Sequence, residues 1–430
     1  MSESLAQKII DLRDQPEELE QLYRANPPAF REALTQARRI DSTSLILRAW
    51  EARLFVKEKP VFEESEGAGE TDRSAIWVVI FLCAVSGTIA KLPAFFPEVD
   101  EQKFYSRNIA FFFLPALAGY FVAQRGLTWK RLAIITGIFV IAALAINAYP
   151  TLYESASKFK VDRSQSTQLA ALHLPFFLWS IAGLAFAGEC WRAVNTRIAY
   201  LRFTGEAIIY FALIMITGGI MTGITVSLFE AIQMKIGKWY FEWIVVYGAC
   251  AAPIVASHLA FTRTRSTLAP LIARIFSPIA LLTLLVYLGA MLVQRRSPYS
   301  DREFLMVFNA MLFCVLGVAV FCICERKPSR FFDIVLCALL VVALIIDFIA
   351  LSAIIYRLAA FGFSPNRIAM LGANILAFIN LLGILITFAP AGLRGNEVSA
   401  AKNWIARFLP AYTIWTAFVV FVLPIIYRFQ

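Results

Sequence analysis

The sequence predicts an all-α, polytopic membrane protein with about eleven transmembrane helices and a small N-terminal cytoplasmic helical domain. Three observations carry that prediction. Of the 430 residues, 59% are hydrophobic and only 16% charged, against roughly 45–50% and about a quarter in soluble domains. From Ser74 onward the apolar residues fall into runs of about 17–25, the length that crosses a hydrocarbon core of about 30 Å. The segment before Ser74 is polar and lacks the apolar stretch of a cleaved signal peptide, so it is expected to stay in the cytoplasm.

Residues 1–58 read as the helical domain. Leu5, Ile9 and Leu12 form one apolar stripe at helical spacing, and Leu47, Trp50 and Leu54 form another. Asp14 followed by Glu17 resembles a capping box, Pro27-Pro28 breaks the chain, and Asp41-Ser42 offers a further N-cap. Three or four short helices result. They are marginal as an isolated core, so docking or self-association is expected. Residues 59–73, including FEESEGAGETDR, are acidic and aperiodic and read as a linker.

Residues 74–430 are read as the transmembrane domain, with spans centred near Leu82, Ala116, Val140, Leu178, Gly218, Ala251, Leu285, Leu316, Leu344, Leu376 and Phe418. Ser266–Phe276 reads as an interfacial helix ahead of the seventh span. Gly219 and Gly223 form a GxxxG in the fifth span, a mark of close helix packing. With the N-terminus inside, Lys and Arg near the span ends number eighteen on inner segments and fourteen on outer ones. The polar N-terminus points the same way, so the C-terminus is expected outside. The net charge of +10 is spread in twos and threes between apolar runs. This is the pattern of a protein that meets a lipid bilayer, and no nucleic-acid partner is predicted.

The link YRLAAFGFSPNR, Tyr356 to Arg367, predicts a tight helical hairpin between the ninth and tenth spans. Gly362 can take the left-handed conformation that stops a helix. Ser364 is a good N-cap and Pro365 suits the first helical position. Arg357 can reach terminal carbonyls or lipid phosphates. Arg367 opposes the dipole of the new helix, which calls for an anionic partner or a headgroup phosphate. Both arginines are therefore candidate anion or lipid-headgroup residues, and both can equally be plain headgroup anchors.

The same link, read as Arg-x3-aromatic-Gly-apolar-Ser/Thr-x-x-Arg, resembles an element of a bacterial family of uncharacterised polytopic inner-membrane proteins known only as a domain of unknown function. RFTGEAIIYFALIMITGGIMTGITVSLFE, Arg202 to Glu230, is similar to an earlier segment of that family. The resemblance spans Arg202 to about Phe388. It departs at Phe361, where Tyr is expected, at Ser364, where Thr is expected, and at SPYSDREF, Ser297 to Phe304, in place of a Lys-Gly-Trp loop. It implies a bacterial inner membrane and no established activity.

Ionisable or amide side chains inside spans are costly and mark candidate sites. Asp347 is placed about 10 Å below the outer boundary at 1.5 Å per residue, with Asn374, Asn309 and His173 at similar depth. Lys91, Asn147 and Glu230 end spans on that side, and His258 lies near the inner end of the sixth. These four, Asp347, Asn374, Asn309 and His173, are the candidate substrate- or ion-binding residues. The competing reading is structural: snorkelling ends and amides that join helices. Pro175 and Pro253 are expected to kink the fourth and sixth spans. Cys322-Ile-Cys324 has no His beside it, so the cysteines read as buried packing residues. No phosphate loop, HExxH or G-x-S-x-G appears, so neither an enzyme nor a cofactor or metal is predicted. Two functions stay open. One is a transporter or permease-like protein for a small solute or lipid headgroup, with Asp347 as its proton or cation site. The other is a sensor or assembly platform signalling through its N-terminal domain to a cytoplasmic protein partner.

Overall fold

The computed structural model describes residues 2–12, 15–41, 44–55, 73–125, 127–150, 164–231, 233–234, 236–262, 268–293, 299 and 302–429. Every element among the described residues is helical. The chain divides into two compact units, Met1–Glu70 and Thr71–Gln430.

The first unit holds α1 (Ser2–Asp11), α2 (Pro16–Ala25), α3 (Pro27–Ile40) and α4 (Leu45–Phe55). Both apolar stripes point into one core, where Ile9, Leu19, Phe30, Leu34, Leu47 and Trp50 are buried. Phe30 and Trp50 pack with ring centroids 5.2 Å apart. Pro27 opens α3 rather than merely breaking the chain, and the Asn26 side chain caps it by accepting from Ala29 N at 3.2 Å. The cap before α4 is shifted from the expected place. Asp41 accepts from Ser44 N at 3.1 Å, and Ser44 Oγ then accepts from Leu47 N at 3.4 Å. Asp14 lies outside the described residues, as does the expected linker up to Asp72.

The second unit runs through α5 (Arg73–Ala90), α6 (Leu92–Phe95), α7 (Glu101–Arg125), α8 (Trp129–Ala148), α9 (Gln165–Ala187) and α10 (Val194–Ala231). It continues with α11 (Gly237–Trp239), α12 (Val246–Thr262), α13 (Leu268–Val293), α14 (Arg302–Cys324) and α15 (Arg330–Phe361). It ends with α16 (Pro365–Gly392), α17 (Ser399–Ala417) and α18 (Leu423–Ile426). Single π-helical segments, Tyr240–Val245 and Phe418–Val422, join α11 to α12 and α17 to α18. Among the described residues, 8 helices are long and apolar enough to cross a membrane. Shorter apolar helices, Ala75–Ala90, Ile272–Val286 and Asn309–Cys324, stand where the first, seventh and eighth spans were expected.

Two expectations are corrected. The separate interfacial helix before the seventh span is absent from the described part of Ser266–Phe276. There α13 runs unbroken from Leu268, with Pro278 inside it. The GxxxG glycines do not pack a helix of this chain: a Cβ added at Gly218, Gly219 or Gly223 would meet nothing within 4 Å. The C-terminal half of α10, with Ile216, Ile220, Ile224 and Leu228, is exposed.

Helices α13 to α17 share one apolar core. It is built largely of Leu and Ile with small residues between them, including Ala343, Ala350, Ala353 and Ala377. Small residues let helix backbones approach, which matters because lipid offers apolar surface as good as a neighbouring helix. Gly372 and Gly383 carry this furthest. The indole of Trp415 covers the first and that of Trp404 the second, where any Cβ would overlap the rings. The two pairs lie eleven residues apart on both α16 and α17, so they set the antiparallel register of that hairpin.

Candidate functional site

The hairpin between α15 and α16 forms as its sequence requires. Ser364 Oγ accepts from Arg367 N at 3.3 Å and Pro365 takes the first turn. Gly362 has φ 72° but ψ −173°. It therefore sits at positive φ with extended ψ, outside the left-handed helical region that was expected. Arg367 finds its partner in the backbone. Its Nη1 donates to the carbonyls of Phe361, at 2.8 Å, and Gly362, at 2.6 Å. The negative end of α15 thus takes the place of the expected anion. Arg357 and Arg367 both lie over the Phe361 ring, 5.9 Å and 5.5 Å from its centroid. A ring without hydroxyl serves this contact fully.

From this hairpin the depth of each polar residue can be read. Asp347 lies fourteen residues before the end of α15, about 21 Å at 1.5 Å per residue, near the middle of a 32-residue helix. This is longer than the 10 Å expected to the membrane boundary because α15 continues about seven residues beyond the apolar run. Asn380 lies fifteen residues into α16, so it is level with Asp347 to within about 2 Å. On the other side, Asn309 precedes the end of α14 by fifteen residues, and Asp347 follows the start of α15 by seventeen. These two also agree in depth to about 3 Å. Asn374 lies about 7.5 Å nearer the hairpin. His173 shares that shallower level, since Leu169, one turn before it, packs in one cluster with Ala369.

Each deep residue stands on a core-facing stripe. Asn309 falls between Leu305 and Leu312, Asp347 between Ala343 and Ala350, and Asn380 between Ala377 and Ile384, all buried in the same core. Asp347 and Asn374 are fully buried and Asn309 is 1% exposed. Neither carboxylate oxygen of Asp347 makes a hydrogen bond, nor does either amide atom of Asn309, nor Oδ1 of Asn374. Asn374 Nδ2 donates to its own helix at Met370 O, 2.8 Å. His173 does the same, Nδ1 donating to Leu169 O at 2.8 Å. The sequence gives no other formal charge to the middle of α13 to α17: Asp347 is alone between Arg274 and Arg295, Phe304 and Cys324, Ile334 and Tyr356, Ile368 and Leu393, and Phe408 and Tyr427.

Beside this level runs a network that the sequence reading missed. Trp404 Nε1 donates to Asn380 Oδ1 at 3.2 Å, and Asn380 Nδ2 donates to the Tyr412 hydroxyl at 2.9 Å. Asn380 at mid-helix was a readable signal. Its partners on α17 were not, because aromatic residues are common in any span.

Three other polar candidates, Asn147, Lys91 and His258, find partners within the fold. Asn147 and Asn108 form a reciprocal amide pair, 2.9 and 2.8 Å. Lys91 is buried with its ammonium 4.8 Å from the Trp243 ring centroid. His258 Nδ1 and the Tyr120 hydroxyl share a hydrogen bond of 3.0 Å. Arg107, one of the fourteen Lys and Arg counted on outer segments, is buried in α7. It donates to Ile146, Tyr149 and Pro150 carbonyls at the end of α8. The Glu230 side chain lies outside the described residues. Cys322 Sγ donates to Ala273 O at 3.3 Å, and no metal-holding group of His, Cys, Asp or Glu occurs among the described residues. At the end of the unit opposite the α15–α16 hairpin, Arg326 clasps Asp333. That hydrogen-bonded carboxylate holds the guanidinium above the usual arginine range.

No family model, curated protein or solved structure matches this chain. The site's chemistry therefore carries the functional reading.

Proposed function

We propose that this is a multi-pass transporter or permease-like protein for a small solute or lipid headgroup, with Asp347 as its proton or cation site. The observation that carries the reading is a carboxylate buried in a helix core near mid-helix, with no hydrogen bond and no other charge at its level. Such a group costs several kcal/mol to keep and is retained for function more readily than for stability. In this reading the three shorter apolar helices complete about eleven spans. The N-terminal unit is cytoplasmic, the α15–α16 hairpin faces outward, and the membrane is a bacterial inner membrane. The last point rests on the short-motif resemblance, the orientation on the charge distribution.

A second reading is favoured by a different observation, the separate compact unit Met1–Glu70 with its own core. There the protein is a sensor or assembly platform that presents this unit to a cytoplasmic partner. One experiment separates the two. A strain lacking the protein is screened across solutes and envelope stresses, then complemented with wild type and with Asp347→Asn, both checked for expression and monodispersity. Loss of complementation by the Asn variant at normal expression supports the transport reading. Full complementation by Asp347→Asn, with loss when residues 1–58 are deleted, supports the platform.

A further inference from the structure

The orphaned atoms around Asp347 are out of balance, and the imbalance has a sign. On the acceptor side stand both carboxylate oxygens of Asp347, Oδ1 of Asn309 and, one step toward the hairpin, Oδ1 of Asn374. On the donor side stand the amide nitrogen of Asn309 and, toward the hairpin, the indole nitrogen of Trp415. The Tyr412 hydroxyl accepts from Asn380, which leaves its own hydrogen to point elsewhere. Buried polar atoms without partners are individually costly, and charged ones more so. The same protein satisfies a comparable amide pair completely at Asn108 and Asn147. The deep level in α14 and α15 therefore differs from its structural amides: it presents oxygen lone pairs in excess.

We propose that Asp347 and Asn309 form the core of a binding site for a small monovalent cation of the sodium class. The proposal rests on the reading of Asp347 as the functional centre and narrows its ligand. Charge sets the valence. Asp347 is the single formal charge of the level, so one positive charge neutralises it. A divalent ion would leave a net charge in a low-dielectric core, and hard divalent sites gather more than one carboxylate. Donor type sets the class. Carboxylate and amide oxygens are hard ligands, and the soft or imidazole donors that select transition metals are not among the polar residues of this level. A proton is a poorer fit. It would neutralise Asp347 but leave the Asn309 amide unpaired, because the two side chains are not in hydrogen-bond contact. A cation between them takes lone pairs from both. Asn374 then lies on the hairpin side as a stepping point.

The test uses the full-length protein purified in detergent, with thermal unfolding followed by tryptophan fluorescence. Sodium, lithium, potassium and magnesium chlorides are each titrated against choline chloride at constant ionic strength. Sodium or lithium is expected to raise Tm saturably by about several degrees, as a ligand bound to the folded state must, with magnesium no better than choline. Asp347→Asn and Asn309→Leu should unfold cooperatively in choline and lose the response. Asn309→Asp, which adds a second carboxylate, should gain a response to magnesium. Equal Tm in sodium, lithium, potassium and choline for the wild type overturns the proposal, and so does a sodium response that survives in Asp347→Asn. The parent reading fails separately. A sodium response in the wild type with full complementation by Asp347→Asn keeps the cation site and removes its transport role. An inactive Asp347→Asn without any cation response removes the cation site and leaves a proton at Asp347.

Discussion

Arg326 and Asp333 form a bidentate ion pair, Nε to Oδ1 at 2.7 Å and Nη2 to Oδ2 at 2.8 Å, with both side chains almost wholly buried. The remaining Nη1 donates to Asn396 O at 3.0 Å, and the guanidinium lies 5.9 Å from the Phe388 ring centroid. One arginine thus ties the end of α14 to the start of α15 and to the loop after α16. Nearby, Arg202 of α10 donates to the Cys324 carbonyl at 2.9 and 2.6 Å and lies 3.3 Å from Glu325. The end of the bundle opposite the α15–α16 hairpin is therefore fastened by charge, while its middle holds a buried acid side chain with no hydrogen-bond partner.

Removing one member of the Arg326–Asp333 pair leaves the other buried and uncompensated, at a cost of about 3–5 kcal/mol. Asp333→Asn and Arg326→Gln should each lower Tm sharply in detergent. Arg326→Lys, which keeps the charge but loses the fork, should recover only part of it. Wild-type Tm in either single variant would show that the pair carries no stability.

The tryptophan-covered glycines predict overpacking. Gly372→Leu and Gly383→Leu force side chains into Trp415 and Trp404, at about 1–3 kcal/mol each. Thermal unfolding measures the loss. Combining Gly372→Leu with Trp415→Ala should cost less than the sum of the two single changes, since each removes what the other collides with.

Arg367 is predicted to act as a structural latch on the hairpin. Arg367→Gln removes the donors to the Phe361 and Gly362 carbonyls and should loosen the tip. Hydrogen–deuterium exchange at Gly362 to Arg367 should speed up while exchange near Asp347 stays slow. Unchanged exchange at the tip would assign Arg367 to lipid headgroups instead.

The orientation predicts where reagents reach. In a background without the native cysteines, Ser65→Cys should resist an impermeant thiol reagent in intact cells and react after lysis. A cysteine at Phe363, 74% exposed at the hairpin tip, should behave in the opposite way. Labelling at Ser65 from outside would invert the proposed topology.

Much of this protein was legible from its residues alone. Apolar runs located the membrane helices, because a span must bury its backbone hydrogen bonds in a helix of set length whatever surrounds it. The turn chemistry of Gly362, Ser364 and Pro365 placed the α15–α16 hairpin to the residue, because caps act within a few bonds. The composition also marked Asp347, since a lone charge in a 23-residue uncharged stretch stands out. Partnership needed the tertiary structure. Whether an amide is a strut or a site depends on what faces it: Asn147 meets Asn108, whereas Asn309 meets no partner. Arg107 and Arg367 read as headgroup charges, yet the fold brings each to the carbonyl end of another helix. Such partners lie far off in sequence or around a turn whose geometry periodicity does not encode, and only packing decides them.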